Sequence, residues 1–218
     1  MSANKVTGDV TIVRGELTLK ADNGTSFLEK DKIITGNDGS VDIVANDQWG
    51  IRIMPLTEAV LVLAQERETH IEMLSGDILF SIRPLGKDEK FTVETPTASL
   101  AVHSTKFWGR VTPKNVLSAG TVALKEGTVE IQLKELEIPI TLNEGEATDL
   151  PVGYAFAEVR TASEYETALM EKIDEIPLFL MKANIGHQLD LLRNLDRLSK
   201  ASKAKSAPPA SSKKEKVD

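Results

Sequence analysis

From Val6 to Leu150 apolar and polar residues alternate one by one in short runs, and no run of helical spacing separates them. Val10-Ile12, Leu17-Leu19-Ala21, Val41-Ile43-Ala45, Ile51-Ile53 and Val60-Val62 carry the pattern in the first part of the chain. Ile78-Phe80-Ile82, Val122-Leu124, Val129-Ile131-Leu133 and Ile138-Ile140-Leu142 continue it. Period-two alternation puts one face of a strand in a core and the other in water. Without intervening helices, parallel βαβ units are not expected. The chain therefore reads as an all-β body of short strands, in a solenoid-like or sandwich arrangement. Turn residues punctuate it at "ADNG" (21–24), "GNDG" (36–39), "ANDQWG" (45–50), "LSGD" (74–77), "KEG" (125–127) and "LNEGE" (142–146), where the chain can reverse or turn a corner.

The pattern changes after Pro151. Thr161-Ala-Ser-Glu164 fits a capping box, and Leu169, Ile173 and Ile176 recur at helical spacing until Pro177, which predicts a helix of about four turns. A second amphipathic segment aligns Ile185, Leu189 and Leu192, with Leu195 and Leu198 extending the stripe. Past Ser199 the chain is rich in Lys, Ser, Ala and Pro. The expected organisation is a β domain over 1–150, a C-terminal α-helical appendage over 151–199 and a disordered tail over 200–218.

Charge and composition exclude several functions. The tail carries a net +4 within a chain of −7, so the first 199 residues hold −11, which argues against a nucleic-acid partner. There are no cysteines, hence no disulfides, thiol catalysis, thiolate zinc sites or iron-sulfur clusters. No apolar window reaches the roughly 20 residues needed to span a bilayer, and "MSANKVTGDV" has no apolar signal-peptide core.

Convergent chemistry is also scarce. His70, His103 and His187 lie in three separate contexts with no metal-ligand spacing, and no phosphate-binding or dinucleotide glycine pattern occurs. His103 and Ser104 are adjacent, but neighbours on a strand point to opposite faces and do not form a nucleophile–base pair. The expectation is a non-enzymatic protein with no cofactor and no metal. Within "VETPTASLAVHSTKFWGRV" (93–111), Ala98, Leu100 and Val102 share one parity while Phe107, Gly109 and Val111 share the other. Burying both sets requires a register shift between His103 and Lys106, through a bulge or corner at Ser104-Thr105. Trp108 has the parity opposite to Phe107 and is expected to point outward, so Trp49 and Trp108 are candidate stacking residues for a glycan.

In order, "GDVTIVRGELTLK", "FLEKDKIITGNDGSVDIVANDQWGIRIMPLTEAVL", "LSGDILFSI", "FTVETPTASLAVHSTKFWGRV" and "GTVALKEGTVEI" resemble the FecR domain, the β domain of the iron-dicitrate regulator family, over roughly residues 8 to 150. By position, the resemblance assigns framework roles to Thr35, Gly36, Gly76, Thr95, Pro96, Ala98, Thr105, Phe107 and Gly127. Where the family has Val-Arg-Gly-Thr, this chain has Val102-His103-Ser104-Thr105, which leaves the usual arginine's role and the corner's geometry altered.

The resemblance implies an extracytoplasmic, periplasmic or secreted, non-enzymatic scaffold or interaction module in envelope signalling; a cytoplasmic location is the alternative. In the regulators this domain follows a transmembrane helix and an anti-sigma segment. Neither is visible here, so no anti-sigma activity is expected. A protein partner would bind through a sheet edge or the C-terminal helices, with Leu189 and Leu192 as candidate contacts. The alternatives are a glycan or small-ligand module resting on Trp49 and Trp108, or a structural envelope oligomer, which leaves homo-oligomerisation open.

Overall fold

The computed structural model describes residues 1–178 apart from 46–47, 65–66, 113–117, 137–138 and 154–155. Two compact units divide the chain, Met1–Leu178 and Phe179–Asp218. The second amphipathic segment, with Leu189 and Leu192, and the basic tail lie outside the described residues.

The first unit runs β1 (Ser2–Thr7), β2 (Val10–Arg14), β3 (Leu17–Lys20), β4 (Lys32–Thr35), β5 (Ser40–Ala45) and β6 (Trp49–Ile53). It continues with β7 (Glu58–Ala64), β8 (Glu68–Ile82), β9 (Lys90–Glu94), β10 (Ala98–Val102) and β11 (Thr105–Val111). It ends with β12 (Ser118–Glu126), β13 (Thr128–Leu133), β14 (Pro139–Asn143), β15 (Glu146–Pro151), β16 (Val159–Thr161), α1 (Glu164–Glu171) and a 3-10 turn (Lys172–Glu175).

Two layers result, and the fold is a sandwich. The front sheet is ordered β1-β5-β6-β8-β11-β12-β15-β16, and the back sheet β3-β2-β4-β7-β8-β9-β10-β13-β14. Every pair is antiparallel except β8–β9. β8 belongs to both layers: its residues up to Ser75 pair with β7, and those from Gly76 pair with β11. The alternating residues enclose one core, including Ile12, Ile33, Leu61, Ile71, Leu100 and Ile131 from the back and Ile43, Ile53, Phe80 and Phe107 from the front. At its centre the Phe80 and Phe107 rings stack at 4.3 Å, and Phe91 meets Phe80 edge-on at 6.3 Å.

The chain moves between layers at corners, and the parity break read around His103 is one of them. β10 lies in the back sheet and β11 in the front, with exposed His103 and Ser104 between them. "LSGD" is not a reversal: it is inside β8, where Gly76 sits at φ 87° and the buried set shifts from Ile71 and Met73 to Ile78 and Phe80. "KEG" is a corner from the front β12 to the back β13, with Gly127 at φ 92°.

The helical segment is shorter than its spacing predicts. α1 has eight residues and gives way to the 3-10 turn before Pro177. Its capping box is two residues further along, with Ser163 as cap and Glu166 as its partner. Thr161 is instead the last residue of β16, its backbone paired with Glu146. That non-local ladder outcompetes a local cap.

A Cβ built on Gly127 would lie 2.1 Å from the Ser104 carbonyl oxygen, whereas one on Gly15, also at positive φ, meets nothing within 4 Å. Gly15→Ala carries only the left-handed backbone penalty, about 1–2 kcal/mol. Gly127→Ala adds a backbone collision and is expected to cost roughly 3 kcal/mol or more. Urea unfolding followed by tryptophan fluorescence checks the contrast, and equal costs would show that the corner yields.

Candidate interaction face

Strand register brings one row of residues across the outer side of the front sheet: Lys5, Asp42, Arg52, Leu79, Trp108, Ala123, Ala147 and Arg160, each opposite the next. The row is charged at both ends and apolar in the middle. Leu79, Trp108, Ala123 and Ala147 form a second buried cluster with Met170, Ile173 and Ile176 of the segment that starts at Ser163. That segment, α1 with its 3-10 turn and the residues to Leu178, is a strap across the sheet.

Charges frame the apolar strip in complementary order. At the start of the strap Arg160 grips Glu166 with two hydrogen bonds of 2.7 and 2.8 Å, and Ser163 donates its N–H (2.7 Å) and hydroxyl (2.9 Å) to the same carboxylate. Further along, Asp174 accepts from Lys125 (2.8 Å) and Lys106 (2.9 Å), and Glu171 lies 3.1 Å from Lys125. At the far end Arg52 holds buried Asp42 bidentately at 2.7 and 2.9 Å and donates to Glu175 at 2.9 Å. The basic partners stand on sheet strands and the acidic ones on the strap, except for Asp42, Glu126 and Asp149, which share Arg52, Lys106 and Arg160 with it.

Trp108 anchors the centre. Its indole N–H donates to Asp77 at 2.8 Å, the Arg110 guanidinium sits 4.9 Å from its ring centre, and Tyr165 meets it edge-on at 6.5 Å. Arg110 in turn donates to Asp77 (2.8 Å) and to the Tyr165 hydroxyl (3.2 Å). Gly50 seats the end of the strap, since a Cβ there would lie 2.8 Å from both Ile176 and Leu178. Beside that end a cleft of about 320 Å³ is lined by Lys5, Asp42, Arg52, Met54, Lys172 and Glu175, among others.

These contacts overturn the expectation of a glycan platform. Trp108 does point away from Phe107, but it is 2% exposed because the strap covers that side. Trp49 is 3% exposed, inside the sandwich, with its ring edge-on to Phe91 at 5.5 Å. Neither indole is open to a sugar. The residues missed from the sequence are the strap's own acids and their basic partners; the signal was the run of Glu and Asp from Glu164 to Glu175, to which the helical reading gave no role.

The framework residues serve corners rather than this face. The Thr35 hydroxyl donates to Met54 O (2.6 Å) and accepts from Thr57 N (2.8 Å), while the Thr57 hydroxyl accepts from Asp77 N (2.9 Å) beside Gly76, tying three crossings together. Leu56 N donates to Gly36 O at 3.0 Å. The Thr95 hydroxyl accepts from Ala98 N at 2.9 Å across the turn that carries Pro96. The Thr105 methyl packs against Gly127, and Phe107 lies in the core stack. Among the described residues no three His, Asp or Glu converge in a way that could hold a metal.

Arg160 holds the Glu166 carboxyl down at about 2, against the opposing effect of burial and helped by Ser163. Asp174 is held low by Lys125 and Lys106, and Glu175 by Arg52. A depressed carboxyl stabilises the folded state above its ordinary value, 4.5 for Glu166, and that contribution is lost as pH falls towards about 2. Acidification through that window is expected to release the strap before the sandwich unfolds, read as Trp108 becoming accessible to acrylamide. Glu166→Gln should show the exposure already at neutral pH; an unchanged quenching profile would remove Glu166 as the clasp.

The family model of the FecR protein matches residues 31–130. Two crystal structures of a candidate anti-sigma factor from Parabacteroides distasonis, at 2.50 and 1.65 Å resolution, superpose with a TM-score of 0.53 and 15% identity. The likeness covers 63% of this chain and 62% of theirs, so it spans less than two thirds of those proteins and is one of fold. No curated protein matches.

Proposed function

From the premise that residues 31–130 are a FecR domain, we propose that this chain is a non-enzymatic regulatory module of envelope signalling that works by holding a protein partner. One observation carries the reading: the front sheet bears a continuous row, apolar in the middle and charged at its flanks with basic side chains in excess, whose side chains fit an acidic amphipathic polypeptide segment. A face of this kind recognises chain by charge order and apolar spacing, with no group poised for bond breaking. The fold shared with a candidate anti-sigma factor supports a signalling role at that coarse level. The proposed compartment is the periplasm or the exterior, by resemblance; no helix among the described residues is long and apolar enough to cross a membrane.

The sheet edges offer the second route. β3 is wholly exposed with Leu17 and Leu19, and β16 borders the front sheet with Val159 43% exposed and Phe156, ahead of the strand, 81% exposed. Photocrosslinkers at Leu19, Val159 and Tyr165, introduced one at a time into the full chain in its own host, distinguish the routes. A dominant protein adduct that reforms as a stoichiometric complex from purified components is expected, from Tyr165 for the face or from Leu19 or Val159 for an edge. No protein adduct from any of the three positions would sink the reading.

A further inference from the structure

The strap lies outside the matched FecR segment, whereas Arg52, Lys106, Arg110 and Lys125 beneath it lie within 31–130. The middle of the receptor face is thus within the matched segment, while Ala147 and Arg160 at one flank and the strap itself lie beyond it. We infer that the strap is a displaceable occupant, held in cis on a site whose other occupant is an acidic amphipathic helix of a partner protein. This rests on the reading of the chain as a partner-binding module and names the surface, the partner's chemistry and the regulation.

The occupant's requirements are legible from the strap itself. Met170, Ile173 and Ile176 stand three residues apart, matching the apolar strip of Leu79, Trp108, Ala123 and Ala147. Glu166 precedes them to meet Arg160, and Glu171, Asp174 and Glu175 interleave to meet Lys125, Lys106 and Arg52. A partner helix with the same apolar spacing and flanking acids would satisfy the same basic side chains, which would otherwise be left without acidic partners from the strap.

The strap's hold suits exchange. An eight-residue helix is too short to persist alone in water, so leaving the sheet and losing helical structure are one event. Most of the ion pairs that hold it are half-exposed: Glu171 and Glu175 are each 66% exposed at the side chain, and such pairs are individually weak and screened by salt. The sandwich beneath keeps its own core, which shares no residue with the cluster under the strap.

The test uses the full chain and a fluorescently labelled peptide of residues 161–178 as probe, with binding read by anisotropy. Ile173→Asp on the full chain weakens the cis occupant while leaving the sheet intact, and is expected to bind the peptide at least ~10-fold more tightly than the wild type. Asp174→Lys with Glu175→Lys, two exposed substitutions, is expected to give the same direction with a ~3-fold or greater gain should the first variant fail to fold by circular dichroism. A peptide carrying Ile173→Asp should not bind, and about 1 M salt should weaken the intact peptide. Equal affinity for wild type and variants, or no binding to a folded variant, overturns the inference. A strap-exchanged dimer in light scattering also overturns it, since the occupant would then be a second copy. Because the titration needs no natural partner, its failure leaves the broader reading to be decided by crosslinking.

Discussion

Most of the described strands have to keep their apolar side on one core while the chain passes back and forth between two sheets. The passages at Gly76, at Ser104-Thr105 and at Gly127 invert the parity of the buried set, and at Gly76 and Gly127 the inversion is absorbed where backbone touches a neighbouring segment. Gly127 lies so close to the Ser104 carbonyl that a side chain has no room, and Gly76 presses on Thr57 in the same way. Thr35 and Thr57 then bind the neighbouring crossings with hydroxyl hydrogen bonds. The close approach of Gly127 to Ser104 fixes the corner from which β11 starts, and β11 then carries Phe107 onto Phe80.

The front sheet is unusual among the two layers in having both sides buried along its middle. Its inner side faces the aromatic centre of the core and its outer side faces the strap, so β11 carries Phe107 inward and Trp108 outward with both at most 2% exposed. Asp77 makes this tolerable by accepting the indole N–H and the Arg110 guanidinium together. The His103-Ser104 pair, where the resemblance to the FecR domain expects arginine and glycine, falls on the opposite kind of position, an exposed corner. Ser104 contributes its carbonyl to the Gly127 approach, which a serine supplies as well as a glycine would.

Much of the sandwich was legible because antiparallel strands with one wet side write their orientation into alternate residues. The break between Val102 and Phe107 even located a sheet crossing. β4, β9 and β15 were harder to see, being brief and interrupted by charge, and β16 has only three residues. The same parity rule named the side on which Trp108 lies but not its burial, because the cover comes from Tyr165, Met170 and Ile173, more than fifty positions later. Thr161 misled for a related reason: a local cap was spelled correctly, yet pairing with Glu146 took that residue into a strand. Contacts between neighbours in sequence could be read; the second layer on the front sheet, made by a distant segment, could not.

β8 runs through both sheets without a break, and β11 on one side and β9 on the other are both hydrogen-bonded to it. A tug applied to either layer is therefore carried by covalent backbone into the other, with no sliding interface between them. With one strand common to both sheets, the sandwich is expected to gain or lose its order as a single cooperative block. A module that must stay rigid while something on its outer side comes and goes benefits from such a shared spine.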